Sequence, residues 1–428
     1  MINYNDNTLA LTNIADVNKI DNYLEGGHKV LSRKNFKFKD EVFTSAKIVL
    51  QTIKSIIDFH ASYICGNPTS ITGDKQQVAL LQGVYRKGNF NKADYDIAKN
   101  LVTYGNAYEY IYKNDKGVIR SKVINNSDAY PIYDNGVYTA FVEHWDSDMM
   151  TISNDICYYN DRVEVYQNDR LINTYRNTTG LPIHYTNGNL NKTNIFGSSL
   201  VDDLLPIMNE IEALLSKASD SVEILSMNPL GISMGGNIDS DVSKDVTGVV
   251  MNLESGSDFK WATAELDYNS IKLLLDSLIN QFYTIACVPS SLFGNSNIAN
   301  VSEVSLKLLF NSSDGMAKRM SYSMLDGFSK RLEYISKLMS ADLEDITITF
   351  NYNRPVDNSS LIADLKTQYD MGCISKESVI RNSPYTSDID REMKLIDKDL
   401  RDKTKNKENN ENPTDIENKE TNTQDIVS

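Results

Sequence analysis

Two long apolar repeats separated by a glycine-punctuated stretch constrain this chain more than any other feature. Leu200, Leu204, Ile207, Ile211, Leu214, Ala218, Val222 and Leu225 recur at spacings of three and four through residues 198–225, the pattern of a helix with one apolar face. At roughly 1.5 Å per residue such a helix is about 42 Å long, unless Pro206 kinks it or marks its true first turn. Residues 268–286 repeat the pattern, with Ile271, Leu274, Leu275, Leu278, Phe282 and Ile285 on one face, and stop at Val288-Pro289. Between the two, residues 228–265 read as short strands among glycines. The spacing predicts a helix, a small β insertion and a second helix.

On either side the pattern is mixed. Residues 41–65 place Val42, Ala46, Val49, Ile53, Ile56, Ile57 and Tyr63 at helical spacing, and Gly66-Asn67-Pro68 ends the run. A further helix is expected from about Lys92 to Tyr104. Residues 106–124 then alternate around Asn114–Gly117, a hairpin signature, and strands follow with turns at Asp134-Asn135-Gly136, Asn160-Asp161 and Asn168-Asp169. This half reads as α+β with a meander-like sheet. Residues 290–301 are a polar loop. A long helix is expected over 302–340, kinked at the polar run Asn311–Gly315. Residues 346–355 alternate as a strand that rejoins the sheet of the first half. Residues 357–398 read as two or three short helices, and the polar tail from about Arg401 as disordered.

A chain of 428 residues exceeds what one hydrophobic core organises, so several substructures are expected. A formal net charge of −15 argues against gripping nucleic acid by phosphate neutralisation, which needs clustered Lys and Arg. The opening Met1–Asp6 lacks a secretory layout, and residues 271–285 are interrupted by Lys272, Asp276, Asn280 and Gln281, so neither export nor a membrane span is expected. Cys65, Cys157, Cys287 and Cys373 show no CxxC pairing and read as buried thiols of a reducing cytoplasm.

Catalytic ingredients are missing. His28, His60, His144 and His184 share no metal-ligand spacing; His60 is expected to be packed, and His144 and His184 to be cross-strand partners. There is no GxxxxGK[ST] loop and no GxSxG elbow. Asp202/Asp203 and Asp388/Asp390 stand where helix starts and solvated faces normally carry acids. No enzyme activity, cofactor or metal is expected. Lys307, Lys318 and Arg319 fall on the predicted long helix, as a solvated face or as channel or subunit contacts.

The order of segments resembles the portal proteins of tailed bacteriophages, in the branch found in siphophages of Gram-positive hosts. Five segments carry the resemblance: residues 20–72, ending in YICGNPTSI; LVTYGNAYEYIYKNDKGVIRSKVINNSDAYPIYDN at 101–135; GSSLVDDLLPIMNEIEALLSKASDSVEI; SSLFGNSNIANVSEVSLKLLF; and IADLKTQYDMGCISKESVIRNSPYTSDIDREM. GNSNIANVSEVSLK departs from the Ser-Gly pair and Ala-Leu-Lys of many relatives, which bears on the loop's shape.

The resemblance implies a portal fold with an α/β wing (1–195 and 288–355), a two-helix stem (196–225 and 267–287), a β-containing clip (226–266) and a helical crown (356–400), ahead of a tail at 401–428. It implies a virion protein at one capsid vertex, made in the host cytoplasm. Its partners would be eleven further copies in a ring, double-stranded DNA in the channel, the terminase large subunit, a head-completion or adaptor protein, and the capsid and scaffolding proteins. Asn295, Ser296, Asn297 and Asn300 would face DNA from a tunnel loop, or merely build turns. Ser233, Met234, Asn252, Lys260 and Trp261 would lie on the clip. Twelve chains at −15 carry roughly −180 formal charges, so contacts with DNA would be local and weak. The alternative is another structural virion protein, such as a head-to-tail adaptor or baseplate component.

Overall fold

Tyr-rich alternation and tight turns build two antiparallel sheets between residues 106 and 186. The computed structural model describes residues 8–38, 41–147, 151–191, 195–222, 230–234, 258–262, 268–290, 303–354, 358–386 and 389–410. Strands β4 (Asn106–Lys113), β5 (Ile119–Ile124) and β11 (Ile183–Thr186) form an antiparallel sheet in the order β11-β4-β5. Strands β6 (Ala129–Asp134), β7 (Val137–Ser147), β8 (Ile152–Tyr158), β9 (Arg162–Gln167) and β10 (Arg170–Arg176) form the expected meander, with order β10-β9-β8-β7-β6. Asn135 and Gly136, and Asn168 and Asp169, take positive φ in its turns.

The period of two sends alternate side chains to two cores. Ala129, Phe141, Tyr158 and Val163 meet Tyr108 and Ile124 of the three-stranded sheet, whereas Tyr130, Val142, Cys157 and Tyr166 meet Ala10 and Ile14 of helix α1 (Thr8–Leu24). A one-residue slip in the meander would exchange these two sets, so its register is strongly specified.

The largest core lies among helices α2 (Thr52–Cys65), α3 (Lys75–Gly88), α4 (Phe90–Tyr104), α5 (Leu200–Val222), α6 (Tyr268–Ile285) and α8 (Asn311–Met339). Asp74 caps α3 through the amides of Gln76 and Gln77. Left-handed Gly105 ends α4, and a Cβ there would lie 2.5 Å from Gly197, so glycine lets the backbone before α5 cross close to the end of α4.

Several elements differ from the sequence expectation. Residues 41–65 are not one helix: Glu41–Phe43 is strand β2, paired with β1 (Phe36–Phe38), and the helix starts at Thr52. The amides of Ala46, Ile48 and Leu50 bond to side chains of α5, which a helix in that stretch would forbid. Helices α1 and α3 were not anticipated.

The long helix breaks at Phe310 rather than at the polar run. Helix α7 (Glu303–Leu309) ends there, and Asn311–Gly315 begin α8 because Ser313 and Asp314 find partners outside the helix. Strand β14 (Ile346–Thr349) does return to the first half, but it pairs with the unanticipated β3 (Ser70–Gly73) in a separate two-stranded sheet. On α6 the packed residues are Leu275, Leu278, Ile279 and Phe282, with Ile271 half-buried, and Leu274 and Ile285 are exposed.

Residues 355–428 form a second unit, in which helix α10 (Lys376–Asn382) contacts α9 (Asn358–Asp370) and α11 (Ile389–Asn410). Helix α11 carries helical structure through 401–410, the start of the segment expected to be disordered. None of the four cysteines forms a disulfide; Cys157 is buried, Cys65 and Cys287 are half-buried, and Cys373 is exposed, contrary to the reading of all four as buried thiols.

Candidate functional site

Helices α5 and α6 frame the β insertion, in which Leu230–Met234 (β12) pairs antiparallel with Asp258–Ala262 (β13). Burial runs in opposite directions along the two helices. The first turns of α5 sink Leu200, Val201, Leu204, Leu205, Met208 and Ile211 into the main core, as the end of α6 sinks Phe282 and, just after the helix, Ala286. The start of α6 leaves Tyr268 at 65% and Leu273 at 73% exposed. The chain therefore leaves the core along α5 and returns along α6. Pro206, inside α5, points outward without ending the helix.

A polar ladder ties α5 to the N-terminal segment. Glu212, Ser216 and Asp220 project from one face at spacings of four and are buried, and they accept the amides of Leu50, Ile48 and Ala46 at 2.9, 2.9 and 2.6 Å. The fit is commensurate: four helical residues rise about 6 Å, and two residues of extended chain advance about 6.6 Å. Arg33 adds an ion pair to Asp220 at 2.7 Å and donates to the carbonyl of Ala46, and His28 Nδ1 lies 2.8 Å from Glu212.

The end of α6 is fastened to two other helices. His60 Nε2–H of α2 donates to the carbonyl of Ala286 at 2.7 Å, and Ser313 of α8 donates to that of Cys287, also at 2.7 Å. Burial holds the His60 pKa down to about 4, so the ring is neutral at physiological pH. Asp314 accepts from Tyr63 and pairs with Arg354, contacts that hold its pKa below the usual carboxylate range against the effect of burial. A cleft of about 200 Å³ lies at this junction, lined in part by Tyr283, Pro289, Leu309 and Ser312.

Behind the junction, Arg331 of α8 is fully buried between two carboxylates, Asp94 of α4 at 2.5 Å and Glu109 of β4 at 2.9 Å. Tyr185 and Ser121 donate to Glu109, and the guanidinium lies 4.2 Å from the centroid of the Phe328 ring. Burial pushes Asp94 up to about 6 despite the opposing attraction of Arg331. A buried acid pair in a deep pocket would be the mark of a hydrolase. Here an arginine occupies the space between the acids, and neither acid lines the cleft at the junction.

The pairing of β12 with β13 sets four of the anticipated clip residues, Ser233, Met234, Lys260 and Trp261, on one two-stranded sheet. Asn295, Ser296, Asn297, Asn300 and Asn252 lie outside the described residues, as does Asp388. Ser233 and Met234 stand on β12 opposite Phe259 and Asp258, and Lys260 and Trp261 on β13 opposite Ile232 and Gly231. Lys307 is exposed on α7, and Lys318 and Arg319 are exposed on α8, so the break at Phe310 puts them on different helices. His144 bonds to its cross-strand partner Asp155, and His184 stacks on its partner Tyr108 at 4.8 Å. Among the described residues no cluster of His, Cys, Asp or Glu is placed to hold a metal, and no helix is long and apolar enough to cross a membrane.

Comparison with known families places this α+β chain, with its helix-framed β insertion, in the class of structural virion proteins. The model of the family described as "Phage portal protein, SPP1 Gp6-like" matches residues 10–406, and the chain belongs to that family, whose members are structural and non-enzymatic proteins of the virion. No curated protein matches. Among solved structures, a chain of "Neck of empty GTA particle computed with C6 symmetry" is 12% identical with a TM-score of 0.49, covering 76% of this chain and 87% of that one. Chains of "Virion of native gene transfer agent (GTA) particle" and of "Neck of native GTA particle computed with C12 symmetry" are also 12% identical, at TM-scores of 0.47 and 0.46, each covering 77% of this chain and 87% of the other. The assignment rests on the family match.

Proposed function

We propose that this portal protein assembles as a ring of twelve around the channel through which double-stranded DNA enters the capsid during packaging, is retained, and leaves at ejection. The family match over nearly the whole chain carries the reading. In it, residues 1–195 and 288–355 form the wing, α5 and α6 the stem, 226–266 the clip and 356–400 the crown. The exposed start of α6 suits a helix that meets other copies, and the clip residues Ser233, Met234, Asn252, Lys260 and Trp261 suit docking of the terminase during filling and of a head-completion protein afterwards. Capsid and scaffolding proteins would contact wing and crown.

The mechanism is a channel that guides without gripping. Asn295, Ser296, Asn297 and Asn300 would offer phosphate hydrogen bonds without full charge, while the net −15 of each chain repels the polyanion. Lys307, Lys318 and Arg319 would supply weak channel or subunit contacts. Native mass spectrometry with negative-stain imaging tests this. Rings with a central hole are expected, and a chain that stays monomeric or dimeric at every concentration, even when co-expressed with its scaffolding protein, refutes the proposal.

A further inference from the structure

A cleft of about 480 Å³ opens between α3, the β4–β5 turn and the end of α8, a volume within the roughly 300–1,000 Å³ of ligand sites. Its apolar surface comes from Leu80, Val84, Leu338 and Met339, and Leu80 is 48% exposed. Lys87, Lys113 and Lys116 stand around it, all exposed. Among the described residues Lys19, Lys92, Lys99, Lys122 and Lys337 each hold a carboxylate, but none of these three makes an ion pair, not even with Asp115 in the same turn. Three unpaired cations around an apolar surface are conspicuous on a chain of net charge −15.

Gly83 is the second observation. It lies inside α3 and lines the cleft, and a Cβ there would meet nothing within 4 Å. Packing does not require a glycine, and the helix gives up about 0.8–1 kcal/mol relative to alanine by carrying one. A side chain at this position would project into the cleft, so glycine keeps it open.

We infer that this cleft is a docking site for an acidic segment of a partner protein, which lays an apolar side chain on Leu80 and Val84 and its carboxylates on Lys87, Lys113 and Lys116. Duplex DNA or free phosphate would satisfy the lysines but bring no apolar group to the surface between them. The inference does not depend on ring assembly.

The full chain is titrated with a fluorescein-labelled peptide of alternating Glu and Leu, followed by anisotropy. Saturable binding is expected, with the Glu/Ser counterpart at least tenfold weaker. The variant K87E/K113E/K116E should lose the Glu/Leu peptide at least tenfold and bind the Lys/Leu peptide in its place. Gly83→Phe should block the cleft, while Gly83→Ala, the folding control, should melt higher and keep binding. The inference is overturned by no saturable binding, by equal affinity for the Glu/Ser peptide, or by displacement of the labelled peptide by duplex DNA or inorganic phosphate at equal charge concentration, which would mark an anion site only.

Discussion

Replacing Arg331 by methionine tests whether the interior holds charge as described. Methionine keeps a flexible apolar stem against Phe328 and Phe90 but removes the only cation in contact with Asp94 and Glu109 among the described residues. Taking one partner from a buried ion pair typically costs about 3–5 kcal/mol, because the remaining charge stays desolvated and uncompensated. Asp94, already raised to about 6, can relieve part of this by taking a proton, whereas Glu109 retains only the hydroxyls of Tyr185 and Ser121. Urea unfolding followed by circular dichroism measures the loss. With a denaturant slope of about 3 kcal/mol/M or more for a chain of this size, the midpoint should fall by about 1 M. Adding Asp94→Asn to Arg331→Met should recover part of the loss, the non-additivity of residues in one network. A loss below about 1 kcal/mol for Arg331→Met would falsify the buried-network account. Arg331→Lys should fall between, since a single ammonium cannot span both carboxylates in the manner of a guanidinium.

The ladder on α5 gives a local readout: Ser216→Ala strands the Ile48 amide and should cost about 1–3 kcal/mol, with faster hydrogen exchange at residues 46–50; unchanged exchange there would refute it. Asp94 makes stability depend on pH in a defined sense. Its raised pKa means that the folded state binds the extra proton, so its contribution is favourable at low pH and is lost as pH rises through about 6; Asp94→Asn should remove that slope. His60 acts oppositely. Its folded pKa of about 4 lies below the unfolded value of 6.5, so its contribution is present above pH 6.5 and is lost as pH falls toward 4, and His60→Gln should flatten this acid limb.

Elements with a local signature were legible in the sequence. The meander declared itself through Asn-Gly and Asn-Asp turns between alternating residues, and α5 and α6 through their three-and-four repeats. Helix–coil boundaries set by distant partners were not: Val42, Ala46 and Val49 continue the phase of Ile53, but three side chains some 160 to 175 positions away claim the amides at 46, 48 and 50. The Arg331 network was hidden for the same reason, since its members stand 222 and 237 positions apart. The available signal was a charge in the core phase of an apolar repeat, Arg331 between Phe328 and Ile335 and Asp94 between Phe90 and Ile97. Cys373 shows the limit of residue type as a guide to burial.

The ladder between residues 46–50 and α5 also has a mechanical meaning. Its three rungs cross between two segments that run side by side, so a pull along the helix axis loads them in shear, all at once, and the attachment yields only when every rung has failed. Lifting the segment from one end loads a single rung at a time and opens it like a zipper. The same three hydrogen bonds therefore make a stiff link in one direction and a compliant one in the other, with Arg33 and His28 as clamps at its two ends.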